Sequence, residues 1–266
     1  MFRIFRTVRY DILSSPRSRN YLLYATGELL LVIVGILIAL QINNWNEARQ
    51  EQRQIAEYAR ALINDLEADI EMVEPIIMQT TRVTKLADGM ASYVRTRSIE
   101  EIDNLDLYYL TSYTSYRPYS WNRAALQQLI NSGALRQMKN GELVRQISNY
   151  DAYTRHLDED YSQDHEFGKT ALVLASEVVD QNYPEREGTD SLSWRSPYSF
   201  PPIELHDVYS DVKLQLLTDD IRKLRATVNF FNNLGSHVNT RHEQELPRLK
   251  DRARQLIELL ESEYPE

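Results

Sequence analysis

Glu28, the one acidic residue inside a long apolar run, is the residue whose chemistry most invites a role. A carboxylate within a membrane-length segment is costly when charged and facing lipid, so it usually faces protein or water and can then carry a proton or an ion. The plainer reading is a carboxyl that stays protonated or reaches toward the near surface. A second candidate is His156-Leu157-Asp158-Glu159-Asp160, followed by Asp164-His165-Glu166. His156 and Asp160 stand at i,i+4 on one helical face and can share an ion, while His165 lies off it. A solvated polar face is the simpler account, and no metal is assigned. His237 and His242, five apart, do not share a face, and His206 stands alone. The third candidate is a concentration of tyrosines: Tyr108, Tyr109, Tyr113, Tyr116 and Tyr119. Tyrosine offers contact area at small entropic cost, so an exposed cluster suits a protein or glycan partner. Packed between helices, the same rings would bond backbone instead.

Other chemistries find no support in the motifs. The chain has no cysteine, which excludes disulfides, thiolate zinc sites and a cysteine nucleophile. Its eight glycines are scattered, with no phosphate-cradling loop. Ser132-Gly133 and Gly235-Ser236 read as helix-end chemistry rather than a nucleophile elbow. No cofactor motif is visible, and the expectation is that the protein is not an enzyme. The net charge of −9 is unevenly spread. Residues 1–20 carry five arginines against Asp11, a net of +4, so the rest holds about −13. Clustered cations that neutralise phosphates are missing from that remainder, which argues against nucleic acid as a partner.

The element that must position Glu28 is a membrane span. Tyr21 to Ile42 reads YLLYATGELLLVIVGILIALQI, and as a helix rising about 1.5 Å per residue it matches a hydrocarbon core of about 30 Å. No small-x-small cleavage site follows, so the run reads as an uncleaved signal anchor. The arginine bias places the N-terminus in the cytoplasm and the large domain outside, which in a bacterium with two membranes is the periplasm. Ala25, Glu28, Val32, Gly35, Ala39 and Ile42 fall at spacings of three and four and form one stripe. Within it Gly35 and Ala39 make a small-xxx-small pair that lets helices approach closely. Trp45 on one side and Tyr21 and Tyr24 on the other suit the aromatic belts of the two interfaces. In the basic tail of residues 1–20, Phe2, Ile4, Phe5, Val8 and Ile12 share one side, with Arg3 and Arg6 opposite. Together with Arg9 these describe a short amphipathic helix lying on the inner surface, ended near Pro16.

The order of basic start, Tyr21-Leu22-Leu23-Tyr24-Ala25-Thr26-Gly27-Glu28, Val34 to Gln41 and then Ile42-Asn43-Asn44-Trp45-Asn46-Glu47 resembles an uncharacterised bacterial family of single-span proteins. Gln128 to Leu135 and Lys139 to Leu143 resemble the middle region of that family. The resemblance implies a single-span architecture and brings no known activity. A looser, architectural likeness is to the single-span subunits of proton-driven stators.

Beyond the span, residues 43–266 read as an all-α domain, an elongated helical bundle. Ile55, Ala59, Leu62, Leu66, Ile70 and Val73 mark an apolar stripe on a helix that nothing before Pro75 need break from the span onward. A second helix is expected over 76–94 and a third over 121–131, capped by Ser120. A long one follows over about 142–182 and a last one from Thr218-Asp219, interrupted by Pro247. Four prolines and Gly188 make residues 183–205 a loop. The functional expectation is a membrane-anchored, non-enzymatic scaffold or accessory subunit, self-associating or joined to other membrane proteins. An extracytoplasmic ligand sensor and an ion-coupled, stator-like subunit using Glu28 are the alternatives.

Overall fold

The computed structural model describes residues 16–112, 116, 119–183 and 213–265, with the side chains of 16–19, 22, 109 and 112 outside that set. Every regular element among them is helical. The helices are α1 (Pro16–Arg95), α2 (Asn104–Ser112), α3 (Ala124–Asn131), α4 (Ala134–Gln137), α5 (Gly141–Ser176), α6 (Ile221–Thr240) and α7 (Leu246–Glu263). A single 3₁₀ turn, Ile99–Glu101, precedes α2, and a π-helical segment, Arg241–Glu245, joins α6 to α7. Residues 1–15 of the basic tail and the proline-rich stretch, apart from Tyr183, fall outside the described residues.

The chain divides into two compact units, Met1–Glu57 and Tyr58–Glu266. In the first, α1 is the one described helix long and apolar enough to cross a membrane. Its side chains from Ala25 to Trp45 are all exposed.

The second unit is built on the later part of α1. Pro75, expected to end the helix, instead sits inside it, and α1 runs on to Arg95. Proline removes one backbone donor and crowds the preceding turn, at about 3 kcal/mol. Val73 and Ile76 on either side of Pro75, with Thr80 and Val83 beyond, are buried, and that packing holds the helix through the defect. The apolar stripe is also on the inside: Ala59, Leu62, Leu66 and Val73 are all buried.

The helix expected from Trp121 begins only at Ala124, and Ser120 is not its cap. Its N-cap position is Arg123, which makes no capping bond; the Ala125 amide instead donates to Asp65 Oδ2 of α1 at 3.0 Å. Gly133, at φ +77°, turns the chain between α3 and α4 in a conformation that glycine adopts without strain. Asn140 caps α5 conventionally, its Oδ1 accepting from the Glu142 and Leu143 amides, both at 3.1 Å. That helix ends at Ser176, earlier than its polarity pattern implies. The segment beyond is pinned by the buried Asn104, whose carboxamide donates to the Asp180 carbonyl at 2.8 Å and accepts from the Asp180 amide at 2.9 Å.

Met90, Val94, Leu107, Ala175, Leu224 and Phe231 lie in one hydrophobic cluster that joins α1, α2, α5 and α6. Where α6 crosses α1, Gly235 comes so close that a Cβ there would stand 2.7 Å from that of Ala87. Thr84 Oγ1 donates to the Gly235 carbonyl across the same crossing at 3.3 Å. Pro247 falls in the first turn of α7, where a missing amide costs little, and the interruption is taken up by the π segment just before it.

Candidate functional site

The stripe on the span keeps its register on α1. Ala25, Glu28, Val32, Gly35, Ala39 and Ile42 are all exposed, and a Cβ added at Gly35 would meet nothing within 4 Å. Glu28 makes no hydrogen bond or ion pair with any described residue. Trp45 is exposed as well, with the Arg49 guanidinium 6.0 Å from its ring centroid. Phe2, Arg3, Phe5, Arg6 and Arg9 lie outside the described residues.

The tyrosine segment is distributed over the second unit. Tyr108 is half-buried, its ring 5.1 Å from that of Tyr183. Tyr116 donates its hydroxyl to Asp164 Oδ2 at 2.8 Å, and burial beside that carboxylate pushes its pKa well up. The Tyr119 hydroxyl accepts from Asn122 Nδ2 at 2.8 Å, and its ring meets Trp121 edge-on at 5.2 Å. Tyr113 and the side chain of Tyr109 lie outside the described residues.

Two buried polar networks organise this unit. In the first, Asp69 of α1 is only 1% exposed. Its Oδ1 accepts from the backbone amide and the carboxamide of Asn122, at 3.0 and 3.1 Å, and its Oδ2 accepts from the Tyr150 hydroxyl at 2.8 Å. Burial raises the Asp69 pKa, and these three donors only partly offset it. Burial and the Asp69 charge together drive the Tyr150 pKa up as well.

The second network contains the sequence's metal candidate. His156 Nε2 lies 3.2 Å from Asp160 Oδ2, as the i,i+4 spacing implies, and 3.9 Å from Glu245 Oε1 of the π segment. The three ligand-type atoms fall within 4.8 Å of one another. Arg241 changes what this cluster is. Its Nη1 donates to Asp160 Oδ2 at 3.0 Å and to Glu245 Oε2 at 2.7 Å, and its Nε donates to Asp164 Oδ2 at 3.0 Å. A guanidinium thus supplies, in hydrogen-bonded form, the positive charge that a metal ion would bring. Burial works against the Arg241 charge, but the bonds to Asp164 and Glu245 outweigh it and hold its pKa above the usual value. Asp160 is raised, chiefly by burial, with Arg241 pulling the other way. His165 stacks on Tyr161 at 5.8 Å, and His237 on Phe167 at 5.2 Å, each apart from this cluster. These groups tie α5 to the π segment, and their geometry is that of a buried ion network.

Arg241 and Glu245 carry no local signal in the sequence, and only their placement 77 to 85 residues beyond the α5 acids makes them legible. Asp65 and Asp69 did carry a signal: two acids, four apart, interrupt the apolar stripe of Leu62, Leu66 and Val73.

Residues 28–181 match a family of unknown function, DUF6090. The chain belongs to this family. The match covers more than half of the sequence, from Glu28 to just beyond α5. It includes Asp65, Asp69, His156, Asp160 and Asp164, and it stops before Arg241 and Glu245. The DUF6090 segment therefore contributes His156, Asp160 and Asp164 to the second network, and residues outside it contribute Arg241 and Glu245. No curated protein and no solved structure matches the chain.

Proposed function

We propose that this member of DUF6090 is a membrane-anchored, non-enzymatic scaffold that associates through one face of its span, with copies of itself or with other membrane subunits. The observation that carries this reading is the Glu28 stripe. It combines a small-residue pair with a carboxyl that has no partner among the described residues, on a helix long and apolar enough to cross a membrane. A lipid-facing carboxylate is unfavourable, and a facing helix relieves that cost while the small residues let it approach. The arginine bias of residues 1–20 supports a cytoplasmic N-terminus and an inner-membrane anchor, with the acidic helical unit in the periplasm. The charged groups of the two networks in that unit are engaged with each other, which fits a structural body better than a catalytic one.

The test is native mass spectrometry of the full-length protein, extracted gently from its own membrane. A homo-oligomer or a reproducible foreign subunit is expected, and Gly35→Leu should abolish it while the helical unit melts unchanged. A lone monomer, or an assembly indifferent to Gly35→Leu and Glu28→Gln, would remove the stripe from the argument.

A further inference from the structure

An open cleft of about 770 Å³ runs between residues 88–95 of α1 and 225–232 of α6. Its volume lies within the range of about 300–1,000 Å³ typical of ligand sites. Val94 and Val228, both buried, form its apolar floor. Its rim is polar and exposed. Arg95, Arg225 and Asp88 make no hydrogen bond or ion pair with any described residue. Elsewhere in the same unit Arg123, Arg145, Lys169 and Arg241 are paired with carboxylates, whereas Arg60, Arg136 and Arg254, like Arg95 and Arg225, have no ion pair with a described residue. In a strongly acidic chain, two guanidiniums on one cleft with no carboxylate partner among the described residues are a local reversal of sign.

The charges are also ordered along the cleft. Helix α6 runs antiparallel to α1, because Gly235 meets Ala87 while Leu224 and Val228 cluster with Val94. Arg225 therefore lies toward the Arg95 end, and Asp88 marks the other. Seven residues of helix separate Asp88 from Arg95, about 10.5 Å along the axis. Asn229 and Asn232, at i,i+3 on α6, line the wall between the two ends. An extended peptide advances about 3.3–3.6 Å per residue, so three residues span the same length. A guanidinium pair suits a carboxylate, a lone aspartate suits an ammonium, and a carboxamide both donates to and accepts from a peptide backbone.

We propose that this cleft binds a short extended peptide with free termini. Its carboxylate sits at Arg95 and Arg225, its backbone bonds to Asn229 and Asn232, and its amine lies at Asp88. The inference is independent of the scaffold reading, which rests on the span.

The experiment is microscale thermophoresis of the full-length protein in detergent micelles with trialanine, its C-terminal amide and its N-acetyl form. Losing the charge-assisted contact should weaken the amide by about tenfold or more. The double variant Arg95→Gln/Arg225→Gln should bind trialanine no better than the parent binds the amide, and Asp88→Asn should erase the preference for the free amine over the N-acetyl form. Helical circular dichroism and the melting temperature establish that both variants are folded, as expected for changes on an exposed rim. If trialanine does not bind, binds no better than its amide, or binds the double variant as it binds the parent, the proposal fails. Loss of the oligomer in mass spectrometry would leave this result untouched.

Discussion

Helix α1 serves the two units by opposite rules. From Ala25 to Trp45 its apolar side chains are all exposed, and its one acid, Glu28, has no partner among the described residues. From Tyr58 onward the apolar positions of α1 turn inward, and the acids that share the stripe, Asp65 and Asp69, are supplied with donors by α3, the segment before it and α5. The polar exception is thus answered from within the chain in the second unit and has no partner among the described residues in the first.

The sharpest way to break the contrast is to remove a partner that the second unit does supply. Arg241→Ala leaves Asp160, Asp164 and Glu245 together without their cation and should cost about 3–5 kcal/mol at neutral pH by chemical denaturation. Burial already holds the folded pKa of Asp160 above its unfolded value. A carboxyl shifted in that direction favours the fold below the unfolded value of about 3.9, and this contribution fades as pH rises through the folded value. The penalty of Arg241→Ala should therefore shrink as the pH is lowered toward 4, while assembly through the span stays intact.

A substitution at the α1–α6 crossing comes next. Gly235→Val puts a branched side chain where even one Cβ would stand 2.7 Å from that of Ala87. Neither wall is a flexible side chain, so a loss of about 1–3 kcal/mol is expected in the same denaturation measurement. Asp65→Ala removes the acceptor at the start of α3 and should cost about 0.5–2 kcal/mol, the range for a lost N-cap, although here the cap comes from another helix.

The smallest effect is the most discriminating. Asp69→Asn keeps an acceptor for the Asn122 donors and removes a buried charge, so stability at neutral pH should change by less than about 1.5 kcal/mol. Because burial raises the Asp69 pKa, the parent gains stability as pH falls from the folded value toward the unfolded one. The variant should lose that part of the pH profile, and an unchanged profile would show that Asp69 does not titrate in this window.

Much of this architecture is legible in the sequence because it depends on periodicity. The single span follows from the length of its apolar run, while the all-helical body, a long helix starting close to residue 142 and the contact between His156 and Asp160 follow from spacings of four residues or fewer. What stays hidden depends on distant groups. Pro75 reads as a helix end unless the burial on both sides of it is known. The i,i+4 pair His156 and Asp160 looks like half of a metal site until Arg241 arrives from the π-helical segment and fills the gap with a guanidinium. Ser120 has the chemistry of a cap, but α3 takes its acceptor from Asp65 in α1.

That borrowed cap also bears on the order in which the chain folds. A helix as short as α3, eight residues, does not persist alone in water, and the group that would stop its first turn from fraying lies 60 residues upstream. Closing so long a loop has to precede the reward, so α3 is a product of docking onto α1 rather than a seed for it. Nucleation is then expected to fall to the long helices, with φ-values near zero for substitutions in α3.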